Sequence, residues 1–253
     1  MPLDRFWGLR SVGRAVFAPG RLRMFKHILM PLDGSPLAES ALPHGLSVAR
    51  ALGARMTLLQ VVEQAVAGGR MHSIDPLDWE LSKAESAAYL AAVGDRLRAG
   101  GLEATEVVVD GQPAGQVIGI AREEAADLIV LSTHGRSGLS GWNMSSVVHK
   151  VLVRARTSVL LVPAYESLAV EPLDYRYRRL MVPLDGSKRA ECAIPVATAL
   201  AAHHDAEVIL VHAVRRPELA CRAPVSPGDQ ELADRLTERN RVEAARYLAE
   251  MRS

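Results

Sequence analysis

Cysteine is nearly missing from this sequence: Cys192 and Cys221 are the only two in 253 residues, and they form no CxxC pair. That excludes a disulfide scaffold and suits a reducing compartment in which both thiols stay free. Aromatic residues amount to 4%, too few for the stacking platforms used by proteins that hold single-stranded nucleic acid. No stretch approaches the roughly 20 continuous apolar residues of a membrane span. Charge of one sign is lacking too, since 30 Lys and Arg stand against 29 Asp and Glu for a net charge of +1. No global field therefore draws nucleic acid or an anionic membrane. These absences predict a soluble, cytoplasmic protein with no nucleic-acid partner and no membrane span.

What is present is a sentence written twice. Pro31-Leu32-Asp33-Gly34-Ser35, followed by Ala38, Glu39, Ala41 and Pro43, recurs at one constant offset as Pro183 to Ser187, Ala190, Glu191, Ala193 and Pro195. The alignment runs without a gap from Lys26/Arg178 to Val62/Val214. Each copy holds an apolar run, a turn, a helix and a second apolar run, which is a duplicated βαβ opening. Length and a 49% hydrophobic content leave room for two modest domains.

The run from His27 to Leu32 is almost wholly apolar, the pattern of a strand buried on both faces of a parallel sheet. Ser35 is a good N-cap and Pro36 suits the first helical position, so a helix is expected over residues 36–52, bent at Pro43 as its counterpart is bent at Pro195. Further strands are expected at 55–62, 102–109, 127–131 and 159–162, and further helices at about 76–99, 114–125 and 145–154, with a mobile connection at 65–75. This β-α-β-α-β-α-β-α-β count predicts an α/β fold, a doubly wound five-stranded parallel sheet with right-handed crossovers, over residues 25–164. Residues 165–177 read as a linker. Over 178–253 only a β-α-β-α portion of a second copy follows: strands at 180–184 and 206–214, helices at 188–202 and 230–251. Residues 1–24, with five arginines against Asp4, read as a basic N-terminal extension. They are expected to be disordered with the real start near Met24, or else a surface-binding tail or a targeting peptide.

Ligands of an open parallel sheet sit beyond the carboxyl ends of the strands, where strand order reverses. Asp33 ends the first strand, Val61 lies at the end of the second, and the loop Ser132-Thr133-His134-Gly135-Arg136-Ser137-Gly138 follows the fourth and precedes a helix. Gly135 and Gly138 let backbone approach an anion, and Ser145 and Ser146 offer hydroxyl donors at a helix start. The chemistry suggested is nucleotide phosphate binding. Asp33 can alternatively do no more than close its Asp-Gly turn, and His134 can touch phosphate or only brace the loop. Asp185 has the same turn but no phosphate loop opposite it, and His149, His203, His204 and His212 lack carboxylate or cysteine partners at metal-ligand spacing, so no metal site is expected.

The Pro31 to Ser35 turn, the strand Asp127-Leu128-Ile129-Val130-Leu131, the loop from Ser132 to Ser140, Ser145-Ser146-Val147 and Pro163 together resemble the universal stress protein family, whose members are often arranged in tandem. The resemblance implies a sheet of order 3-2-1-4-5. One branch of that family binds ATP through Gly, two residues, Gly, nine residues, then Gly with Ser or Thr. Here the pattern falls on Ser132, Gly135, Ser145 and Ser146, so only the second glycine is retained. The resemblance further implies that Asp33 accepts from the adenine or ribose side, with Pro31 and Val61 lining the base pocket.

The expectation that follows is an adenine-nucleotide (ATP, ADP or AMP) binding stress-response protein, with the nucleotide in the first domain only, that acts through ligand-dependent conformation or assembly. Mg²⁺ would enter only with the nucleotide. Robust catalysis is not expected, because no GxxxxGK[ST] loop occurs and no lysine lies in the glycine loop. The alternatives are a nucleotide-free assembly protein of the same fold, favoured by the two serine replacements, and a weak ATP hydrolase. The short apolar fifth strand is a pairing edge, so a homo-oligomer or an intrachain pseudo-dimer is expected.

Overall fold

The computed structural model describes residues 6–13, 25–63, 76–134, 146–164, 175–217 and 226–252. The chain divides into two compact units, Arg23–Arg176 and Tyr177–Ser253 joined by Met1–Leu22.

In the larger unit the strands are β2 (His27–Pro31), β3 (Arg55–Val62), β4 (Ala104–Asp110), β5 (Leu128–Ser132) and β6 (Ser158–Val162). They form one sheet in the order β4-β3-β2-β5-β6, every pair parallel. Counted within the unit, that is the 3-2-1-4-5 order. The helices α1 (Pro36–Glu39), α2 (Leu42–Leu52), α3 (Pro76–Ala99), α4 (Pro113–Glu123) and α5 (Ser146–Arg154) lie between the strands in sequence. Ile28, Leu29 and Met30 have no exposed surface, because β2 is the middle strand and is covered on both sides. Leu29, Leu59 and Ile129 pack with Val117 of α4 and Val151 of α5 in one apolar cluster.

At the amino ends of the strands lies a buried polar network. His27 Nε2 is 2.8 Å from Thr57 Oγ1, and Thr57 donates to Glu124 Oε2 at 2.9 Å. Thr57 has one proton to give, so Nε2 donates to it, while Nδ1 lies 3.0 Å from both an Arg55 guanidinium nitrogen and the Glu124 carbonyl oxygen.

The expected bent helix over 36–52 is instead two helices. Pro43 has no N–H, and its ring collides with the carbonyl four residues back. That residue is Glu39, the last of α1. The duplicated segment breaks in the same register. There α6 (Lys188–Glu191) gives way to α7 (Ala193–His204), with Pro195 four residues beyond Glu191.

The smaller unit also contains β1 (Phe6–Gly13), β7 (Arg179–Leu184), β8 (Glu207–Arg215) and α8 (Pro227–Arg252), with sheet order β1-β8-β7. β7 and β8 are parallel, as their counterparts β2 and β3 are. β1 runs antiparallel on the far edge of β8, from Phe6 opposite Arg215 to Gly13 opposite Val208. The expectation of disorder through residues 1–24 is corrected for Phe6–Gly13. Gly8 and Gly13 do interrupt an apolar run, but backbone pairing needs no such run. The edge of β8 presents a row of N–H and C=O groups that any adjacent extended segment can satisfy. In the larger unit that edge is taken by β4.

Leu29 is fully buried where the clusters of α4 and α5 meet the sheet. Leu29→Ala is expected to lower unfolding free energy by about 2–5 kcal/mol, read by chemical denaturation of the full chain.

Candidate functional site

β2 stands at the point where the sheet's crossovers change side, with β3 on one flank and β5 on the other. Past its carboxyl end the chain must turn away, and a cleft opens there. Leu32 N–H still donates to Leu59 O at 2.8 Å. The Asp33-Gly34-Ser35 turn then takes over. Gly34 adopts φ +78°, a left-handed conformation that favours glycine. Asp33 Oδ1 accepts from Ser35 N at 3.0 Å and from Ser35 Oγ at 2.6 Å, and Ser35 Oγ accepts from Ala38 N at 3.1 Å as the cap of α1. Asp33 is thus both a turn closer and a half-exposed carboxylate on the cleft wall.

The cleft has a volume of about 830 Å³. Pro31, Asp33, Val61, Ser132, His134, Ser146 and Val147, each picked from the sequence, all line it. Gly135, Gly138 and Ser145 lie outside the described residues. Ser132 is buried, its Oγ 3.5 Å from Ser40 Oγ. His134 Nδ1 is 3.0 Å from Thr133 Oγ1, which accepts from Ala164 N at 2.9 Å. The ring is therefore braced and also faces the cleft.

Sequence reasoning missed the contribution of α3, which adds Ser82, Glu85, Ser86 and Tyr89 to the wall, and it missed Gln60. A polar residue set in the apolar run Leu58-Leu59-Gln60-Val61-Val62 was the available signal for Gln60. Nothing in the pattern of α3 announces Tyr89, whose place depends on packing. Tyr89 Oη donates to Glu39 Oε1 at 3.1 Å, and Arg96 holds the other carboxylate oxygen at 3.3 Å. Burial first, then the negative charge of Glu39 and its hydrogen bond, then Asp33, push the Tyr89 phenol above its ordinary value. Among the described lining residues there are three carboxyl side chains, Asp33, Glu63 and Glu85, and no Lys or Arg. An anion entering here must be met by N–H groups, hydroxyls, His134 or its own counter-ion.

The smaller unit repeats part of this. Asp185 Oδ1 accepts from Ser187 N at 2.9 Å, and Ser187 bonding holds its carboxyl below the usual range. Tyr247 Oη donates to Glu191 Oε1 at 3.2 Å, the same tie as Tyr89 to Glu39. Its cleft is smaller, about 510 Å³, with Gly186, His212 and Tyr247 on its wall.

The sequence profile of the universal stress protein family matches residues 24–163 and 176–252. The chain belongs to the universal stress protein family. Universal stress protein MJ0531 of Methanocaldococcus jannaschii is 29% identical over 140 residues, covering 55% of this chain and 82% of that protein. Universal stress protein YxiE of Bacillus subtilis is 29% identical over 148 residues, covering 55% of this chain and 99% of that one. A solved structure described as a putative universal stress protein of Pseudomonas aeruginosa shares the fold at TM-score 0.57 and 18% identity, over 90% of this chain and 72% of its own. Both copies of the repeat fall inside the family match, so the duplication is of a universal stress protein opening.

A phenol held protonated by the folded state loses that advantage once the unfolded chain ionises, so its contribution is whole below the ordinary tyrosine value and falls as pH rises beyond it. Subtracting the alkaline phenolate titration of Tyr89→Phe from that of the wild type is expected to isolate one phenol that ionises later than a free tyrosine. A difference curve centred at or below the ordinary value would refute the Glu39 and burial account.

Proposed function

We propose that the larger unit binds an adenine nucleotide, ATP, ADP or AMP, in the cleft at the carboxyl ends of β2, β3 and β5, and that occupancy is the output. One observation carries the reading: Asp33 just past β2, Val61 from β3, Ser132 at the end of β5 with His134 just past it, and Ser146 at the start of α5 converge on one cavity. Its volume suits a nucleotide, since small-molecule sites run from roughly 300 to 1,000 Å³. Asp33 and Val61 belong to the base and ribose end, while the Ser132 and Ser146 hydroxyls, with Gly135, Gly138 and Ser145 of the intervening loop, belong to the phosphate end. In this reading Mg²⁺ comes only with the nucleotide.

Robust turnover does not belong to this reading. Acid groups line the described wall and no Lys or Arg stands there to follow charge on a transferring phosphoryl group. Binding alone is sufficient to shift conformation or assembly: a ligand at a hundredfold excess over Kd adds about 2.7 kcal/mol to the state that binds it. We place the chain in the cytoplasm, where the exposed free thiol of Cys192 is at home. No described helix is long and apolar enough to cross a membrane. The edge strand β6 supplies the pairing surface for a homo-oligomer. A second reading, nucleotide-free assembly, is favoured by one observation: Ser132 puts a buried side chain where the ATP-binding pattern has glycine.

Calorimetric titration of the full chain with ATP separates the two. Wild type is expected to bind about one equivalent. Asp33→Asn, which keeps an acceptor for Ser35 N but removes the charge, is expected to weaken binding about tenfold, and Asp185→Asn to leave it unchanged. No heat from wild type with ATP, ADP or AMP sinks the nucleotide reading in favour of assembly.

A further inference from the structure

The sheet of the smaller unit ends at β7. Its counterpart β2 is hydrogen-bonded on both edges, whereas among the described residues β7 is paired to β8 alone. Glu207 N donates to Arg178 O at 2.9 Å, so the Arg178 carbonyl faces β8. Backbone groups alternate in direction along a strand, and those of Arg179, Met181 and Pro183 therefore point away from β8. At the matching place in the larger unit Asp127 N donates to His27 O at 3.0 Å, where β5 takes that edge. Pro31 holds the position of Pro183 in a strand paired on both sides, so the proline does not bar pairing here.

The side chains of Arg179, Met181 and Pro183 share one face of the strand. Val182 and Leu184, on the other face, are buried in a cluster with Ala197, Ala201 and Leu248. Arg179, Met181 and Pro183 are all exposed, Met181 at 69%. Under the offset that pairs Pro31 with Pro183, Met181 pairs with Leu29, which is wholly buried in the cluster of Val117 and Val151. A large apolar side chain thus stands in water at the middle of an unpaired edge. The ends of that edge carry opposite charge: Arg178 and Arg179 lie at the amino end and Asp185 directly past the carboxyl end, all exposed. A strand of that polarity is complementary to an antiparallel copy of itself.

We infer that the open edge of β7 is a docking surface for the β7 of a second copy of this chain, the two strands running antiparallel about a two-fold axis at Met181. Such a contact presents the same patch on both copies. The two Met181 residues exchange N–H and C=O groups across the axis, and each Arg179 N–H donates to the carbonyl of Pro183 in the other copy, about four backbone hydrogen bonds in all. The missing N–H of Pro183 leaves only the Arg179 carbonyl to water at the rim. The Met181 side chains meet on the bare face, and each Arg179 lies diagonal to Asp185 of the other copy, within reach of a long side chain. A strand of other sequence gains the hydrogen bonds but not this reciprocal pairing of charge. The surface belongs to the smaller unit, so it is distinct from the edge of β6 and independent of the nucleotide reading.

Oxidative cross-linking of the full chain tests this, with Cys192→Ser and Cys221→Ser in every variant. Hydrogen-bonded residues of an antiparallel pair have Cα atoms about 5.5 Å apart, inside the roughly 4.4–6.8 Å span of a disulfide. Met181→Cys is therefore expected to form a covalent dimer about tenfold faster than Leu232→Cys, a half-exposed position on α8, which packs on β8 and β1. Adding Arg179→Glu, or raising the salt concentration, is expected to slow the Met181→Cys reaction several-fold. Equal rates at the two cysteines mean random collision and overturn the proposal. Sedimentation without the cysteine changes gives a second readout. Wild-type self-association is expected to weaken about tenfold in Met181→Pro, which removes an outward N–H where an edge strand tolerates proline. Self-association unchanged in that variant belongs to another surface, such as β6, and overturns the assignment, as does a wild type that stays monomeric at every concentration. The cross-linking comparison does not use Met181→Pro, so a failure of that variant to fold does not remove the test.

Discussion

The hydrogen bonding of β2 to β3 on one side and to β5 on the other is the constraint from which the rest of the larger unit follows. A strand flanked on both edges in a parallel sheet must be apolar on both faces, and Ile28, Leu29 and Met30 are wholly buried for that reason. Its crossovers depart to opposite sides, so no helix can close over its carboxyl end. The opening that results is therefore a property of strand order. Asp33, Gly34 and Ser35 then only have to furnish it: a carboxylate, a left-handed turn and a helix cap in three consecutive positions.

That economy explains which parts could be read without coordinates. The five-stranded sheet was legible because its strands are continuous apolar runs separated by capped helices, and a local pattern suffices to place them. Asp33, Ser132, His134 and Ser146 were legible because each lies at a strand or helix end, where sequence marks the boundary. Tyr89 was not, since its distance from Asp33 along the chain is closed only by packing of α3 on the sheet. The break between α1 and α2 was half legible: the proline was plain, but the choice between bending and breaking depends on which carbonyl the ring meets, here that of Glu39.

The two copies also show what a universal stress protein domain can lose while keeping its opening. Both retain the Asp-Gly-Ser turn with its serine cap, and both retain a tyrosine hydroxyl donating to the glutamate of the first short helix. In the smaller unit the strand beside β8 is no longer a parallel neighbour reached through a long helix but the antiparallel β1. The backbone groups on that edge are satisfied either way, which is why the change of direction is tolerated.

Because β1 precedes the larger unit while β7 and β8 follow it, Arg23–Arg176 is in effect an insertion within the other unit. During synthesis β1 has no partner until β8 has emerged, some two hundred residues later. The larger unit has all its strands available before then and can fold as the chain is made. The smaller one has to close a loop that spans the larger unit. The larger unit is accordingly contiguous in the chain, whereas the smaller one draws on segments from either side of it.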